Sequence, residues 1–186
     1  MSRTALNHLA AVTMMAAIAL LVLPAPARAD ATSAPLHGGV VTEVEGHVFE
    51  TLIDREGLHV WFHTDELAPA MVGRAGGTAS LKLPDGQVRE VTLTAREPAA
   101  DDRGVFFCPM HPEVVQGTPG KCEPCGGMIL FHQDELLGAV DLSGIDARAV
   151  TAQVRLTGLK GRHKEATFSP AFPAPDGKAG RNDTGR

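Results

Sequence analysis

The stretch VTAQVRLT, residues 150–157, puts Val150, Ala152, Val154 and Leu156 on one side of an extended chain and Thr151, Gln153, Arg155 and Thr157 on the other. This period of two is what a strand with one buried face requires. Working outward, similar runs follow the cysteine-bearing stretch near Leu136–Leu142 and Lys164–Phe168. Five more precede it, near Val40–Val44, His47–Ile53, Leu58–His63, Thr78–Leu83 and Val88–Thr94. Glu45-Gly46, Asp54 to Gly57, Gly76-Gly77 and Pro84-Asp85-Gly86 separate them with turn chemistry, the last being a hairpin signal. His59 and His63 share a strand side with Trp61, opposite Leu58, Val60 and Phe62, and are expected to line an exposed sheet face.

Three strands make a poor independent domain, and five make an open sheet with edges to protect. Together they approach the roughly seven strands of an immunoglobulin-like fold. The expected class is therefore all-β, an immunoglobulin-like β-sandwich made of residues 30–98 and 132–168. A small zinc-ribbon-like metal-binding module, residues 105–131, is inserted between its fifth and sixth strands. The polar stretches Glu97 to Gly104 and His132 to Glu135 flank the insertion, and the Pro-, Gly- and charge-rich tail 169–186 has too little to bury and is expected to be disordered.

At the N-terminus, Arg3 precedes an apolar run of 15 residues from Leu9 to Leu23, followed by Pro24, Pro26 and the triplet Ala27-Arg28-Ala29. The run is shorter than the roughly 20 residues that span a bilayer, and the triplet has the small-residue form of a cleavage site. Residues 1–29 thus read as a secretory signal peptide cleaved after Ala29, with an uncleaved anchor as the alternative. The expected location is the periplasm, with membrane contact only through the signal. Removing Arg3 and Arg28 moves the formal net charge from −5 to −7. This mildly acidic balance carries no basic stripe, so nucleic acid is not an expected partner.

All three cysteines, Cys108, Cys122 and Cys125, fall within 18 residues. Disulfide scaffolds usually spread an even number of cysteines along the chain, so this clustering suggests ligands. Cys108 and His111 form a C-x2-H pair, and Cys122 and Cys125 form a C-x2-C pair ahead of Gly126 and Gly127. Three thiolates and one imidazole complete a closed tetrahedral set, which predicts binding and not catalysis. Met110 and Met128 are either soft donors that favour Cu(I) or Ag(I) over Zn(II), or gap-fillers in a small core. A Cys122–Cys125 disulfide is the alternative for the thiols.

His37 and His47 would form a second site, for Cu(II), if the first strand brought them together; otherwise they are polar residues bonded to backbone. His132 and His163 are expected to be solvated. A thiol-disulfide enzyme built on Cys122 and Cys125 is disfavoured, because Pro119-Gly120 and Gly126-Gly127 exclude the helix that would activate such a pair. No Ser/His/Asp set or paired carboxylates point to hydrolysis, so the protein is not expected to be an enzyme.

The segment CPMHPEVVQGTPGKC, Cys108 to Cys122, resembles the heavy-metal-binding domain of copper- and silver-handling ATPases and efflux adaptors. Here Glu123-Pro124 reverses the usual proline position, and one extra glycine precedes Met128. The flanking His37-Gly38-Gly39 and His47-Val48-Phe49-Glu50 resemble the start of bacterial periplasmic proteins with a single β-domain. The resemblance implies a metal carrier, buffer or accessory of homeostasis or efflux, with a metal efflux or transport protein as partner. A purely structural zinc holding a protein-interaction module is the competing reading.

Overall fold

The Asp85 carboxylate accepts the Gln87 amide at 2.9 Å, and Leu83 and Gln87 close the turn around Gly86, so this hairpin forms where its turn residues direct it. The structure, a computed structural model, describes residues 35–98 and 104–172. The signal-peptide reading lies outside these residues, as does most of the tail.

The strands run β1 Val40–Val44, β2 His47–Asp54, β3 Gly57–His63, β4 Pro69–Ala70, β5 Gly76–Lys82 and β6 Val88–Arg96. Next come β7 Phe106–Cys108, β8 His111–Gln116, β9 Lys121–Cys122, β10 Met128–Ile129 and β11 Phe131–His132. The chain then forms β12 Glu135–Ala139, β13 Thr151–Thr157 and β14 Glu165–Phe168. Among the described residues the only helical turns are 3-10 turns at Glu123–Cys125 and Ala147–Ala149. No described helix is long and apolar enough to cross a membrane.

The large sheet has the order β1-β2-β3-β12-β6-β5-β13-β14, with β4 on β3. Strand β6 serves both halves, pairing with β5 through Val88–Leu93 and with β12 through Thr94–Arg96. The sheet thereby folds over into a sandwich that is nearly a barrel, with β14 beside β1. Phe49, Val60, Phe62 and Leu136 of one half pack against Leu81, Leu93, Val154, Leu156 and Phe168 of the other in one core. The alternation read from residues 150–157 is realised: Ala152, Val154 and Leu156 are buried while Thr151, Gln153 and Arg155 are exposed. Phe172, at the start of the tail, packs on this core.

The other face of β2 and β3 overturns an expectation. His59 and Trp61 are buried, and the His63 side chain is 2 % exposed. The segment Leu36–Gly39 covers this face, with His37 stacked on Trp61 at 4.0 Å between ring centroids. Polar side chains tolerate this burial because they are paired. The fully buried Glu50 carboxylate accepts the backbone amides of Leu36, His37 and Gly39 at 2.8–2.9 Å. His63 Nε2 lies 3.2 Å from the same carboxylate. His59 bridges Glu135, at 2.8 Å, and Asp54, at 3.0 Å, and Arg96 donates to Glu135 at 2.7 Å.

The module meets the sandwich at Gln133, which is 1 % exposed. Its backbone amide donates to Val105, its side-chain amide donates to the Phe62 carbonyl at 2.8 Å, and its Oε1 is 3.0 Å from His37 Nε2. His132 is not free in solvent as expected but stacks on Phe106 at 4.2 Å. Gly104 passes so close that a Cβ there would overlap the His132 ring.

Candidate metal centre

Two tight turns face each other in the module. In the first, β7 and β8 are joined through Pro109 and Met110, and an irregular register places Cys108 opposite His111. Both side chains therefore leave one end of the hairpin on the same side. In the second, Cys122 ends β9 and precedes a single 3-10 turn, Glu123–Cys125, in which Pro124 sits in the first turn. Gly126 and Gly127 follow with φ of 70° and 94°. This left-handed geometry suits glycine and turns their amides onto the carbonyls of Glu123 and Cys122, at 2.8 and 3.0 Å. The extra glycine does not disturb the return strand, since Met128 lies directly across from Cys122.

The Sγ atoms of Cys108, Cys122 and Cys125 and a ring nitrogen of His111 all lie within 4.8 Å of one another. His111 Nδ1 is 3.0 Å from Cys125, 3.5 Å from Cys122 and 3.7 Å from Cys108, and the Cys108 and Cys125 sulfurs are 3.5 Å apart. A tetrahedron with Zn–S near 2.3 Å and Zn–N near 2.0 Å has edges of roughly 3.5–3.8 Å, so the donor set fits a four-coordinate ion. Cys108 and Cys122 are fully buried over Phe106 and Leu130, and Cys125 and His111 are half-buried.

The thiols are electrostatically unequal. Burial opposes ionisation of Cys108, but hydrogen bonds from His111, the Met110 amide and the other thiols outweigh it and bring the group down to about 6. Burial, followed by the contacts with Cys122 and Cys108, pushes Cys125 up to about 12. Cys108 is thus the thiol that ionises more readily, whereas Cys125 keeps its proton near neutral pH until a cation or a reacting partner displaces it.

Three soft donors and one imidazole on two facing turns decide the comparison. Residues 105–133 match the heavy metal binding domain family. The match covers the module and not the sandwich. No curated protein and no solved structure is significantly similar to the chain. The family match and the Cys3His cluster together support a metal-binding role for this module.

The methionines part company: Met110 is 64 % exposed, whereas Met128 packs against the cysteines and Leu130. The proposed pairing of His37 with His47 does not form. His37 lies against Trp61 on the polar face of β2 and β3. His47 lies on the opposite face with Phe49, and its Nε2 bonds to the His163 carbonyl at 3.0 Å. Sequence reasoning missed Phe106 and Leu130 as the floor of the site. The FF before Cys108 and the IL after Met128 are the signal that could have marked two short strands there.

Proposed function

We propose that this is a periplasmic heavy-metal-binding protein that holds a soft or borderline ion at Cys108, His111, Cys122 and Cys125, acting as carrier, buffer or accessory in homeostasis or efflux. The observation that carries the reading is the convergence of three sulfurs and one imidazole at tetrahedral spacing. Two of the donors, Cys125 and His111, are half-exposed, so an incoming ligand from a transport protein has a side from which to take the ion. Cu(I) or Ag(I) is favoured as cargo by Met110, whose thioether is held in solvent on the turn joining Cys108 and His111 and does no packing there. The role is binding and not catalysis, because the donor set closes the coordination shell. A redox enzyme is further disfavoured because Cys122 caps, and Cys125 ends, a single 3-10 turn and not the start of an α-helix.

A second reading, structural Zn(II), is favoured by the complete burial of Cys108 and Cys122. The two are separated by elemental analysis of the purified protein, followed by anaerobic competition of Cu(I) against bound zinc. Tight, reversible replacement that weakens in Met110→Leu supports the carrier. Zinc that leaves only when the module unfolds supports the structural role.

A further inference from the structure

Beyond the metal reading, on whose site it rests, the module contains a specific pair of oxidisable sulfurs. Cys108 and Cys125 come from different turns, and their sulfurs are 3.5 Å apart. Cys125 is half-exposed, while Cys108 and Cys122 are fully buried. A reagent too large to enter the core therefore meets Cys125 first. Forming a bond of about 2 Å needs the two sulfurs to close by roughly 1.5 Å. Cys125 ends an exposed turn followed by two glycines with positive φ, so its side can move. Cys122, held by the β9–β10 pair across from Met128, is the less mobile partner.

We propose that Cys108 and Cys125 form a disulfide in the metal-free protein, and that this modification and metal occupancy exclude each other. The co-reactant is a low-molecular-weight disulfide. Counted from the two thiols, Cys125 attacks one of its sulfurs and the Cys125 proton goes to the departing reagent sulfur, giving a mixed disulfide and one free thiol. Cys108 then attacks the Cys125 sulfur, and its proton goes to the second departing reagent sulfur. Two cysteines are oxidised and one disulfide is reduced to two thiols. Only Cys122 and His111 remain as donors, too few to close a tetrahedral site.

The test uses the full chain, stripped with chelator or loaded with zinc, exposed to glutathione disulfide, then alkylated and mapped by peptide mass. The expected product of the stripped protein is a Cys108–Cys125 bridge with Cys122 alkylated. The zinc-loaded sample, its stoichiometry confirmed by elemental analysis, should oxidise on the order of tenfold more slowly or less readily still. In Cys108→Ser a glutathione adduct should accumulate on Cys125, while Cys122→Ser should still form the bridge. A Cys122–Cys125 bridge in the unsubstituted chain, or equal oxidation of the loaded protein, overturns the proposal. The pairing is read without metal. A chain that bridges as stated but never takes up an ion would sink the metal assignment alone; one that binds zinc but bridges Cys122 to Cys125 would sink only the pairing.

Discussion

The Gln133 side chain donates to the Phe62 carbonyl at 2.8 Å, joining the residue that leaves the metal module to the C-terminal end of β3. Its Oε1 is also a partner for His37. Replacing Gln133 with Leu leaves the buried Phe62 carbonyl without this donor and the half-buried His37 without its partner, and an unsatisfied buried polar group costs about 1–3 kcal/mol. Urea unfolding followed by Trp61 fluorescence should show a loss of that size. An unchanged midpoint would mean that the joint is not closed in solution.

Glu50→Gln tests the cover over Trp61. The carboxylate accepts three backbone amides and faces His63 while fully buried. A Gln amide would turn one donor against others, and breaking such a buried charged arrangement costs on the order of 3 kcal/mol. Amide hydrogen exchange should rise at Leu36, His37 and Gly39 before it rises in β13.

The same buried network sets a pH window. Burial pushes Glu135 upward, but His59 and Arg96 outweigh it, so its pKa lies below the ordinary 4.5; burial likewise opposes Glu50, and His63, the Gly39 and His37 amides and the His37 ring outweigh it. Their contribution is complete above that ordinary value and is lost as pH falls through the lowered values. His59 is also opposed by burial but is raised above 6.5 by Glu135 and Asp54. Its contribution is complete below 6.5 and is lost as pH rises through the raised value. His37, lowered chiefly by burial, adds to the loss on the acid side. The urea midpoint should therefore be greatest between the ordinary Glu and His values and smaller at about pH 3 and about pH 9. A midpoint still rising from pH 6 to pH 9 would contradict the His59 assignment.

At the metal centre, Cys122→Ser should abolish stoichiometric ion binding while leaving the Trp61 unfolding transition in place. The small core of Phe106, Cys108, Cys122 and Leu130 is separate from the sandwich core. Retained one-to-one binding would refute the site, and global unfolding would refute the independence of the two cores.

Metal uptake should also release protons. Cys125 is protonated near neutral pH and must ionise to ligate, so apparent zinc affinity should rise with pH, by about tenfold per unit for each proton displaced. Calorimetry in two buffers of different ionisation enthalpy measures this directly, and identical heats would contradict it.

Eight of the nine strands of the sandwich were legible because they alternate between turn residues, while the two-residue β4 is too short to show a period. Their neighbours in space were not. Nothing local indicates that β12 lies between β3 and β6, since that placement depends on pairing over long separations such as Leu136 with Val60. The four donors were legible from spacing, while β7 and β9–β11 are two or three residues long and show no period. The polar side of β2 and β3 misled because His59 and His63 read as lining an exposed face. They are buried because Glu50 meets His63 and three amides, and His59 meets Asp54 and Glu135, partnerships that sequence does not display.

The placement of β12 also orders events in time. His59 and its partner Glu135 are 76 positions apart, and the whole metal module is synthesised between them. The central seam of the sheet therefore closes only after the cysteines have emerged, and closure over such a separation is slow compared with hairpin formation. During that interval the thiols are already present on a half-assembled scaffold, so when the nascent chain first encounters its ion becomes a question of biogenesis as well as affinity.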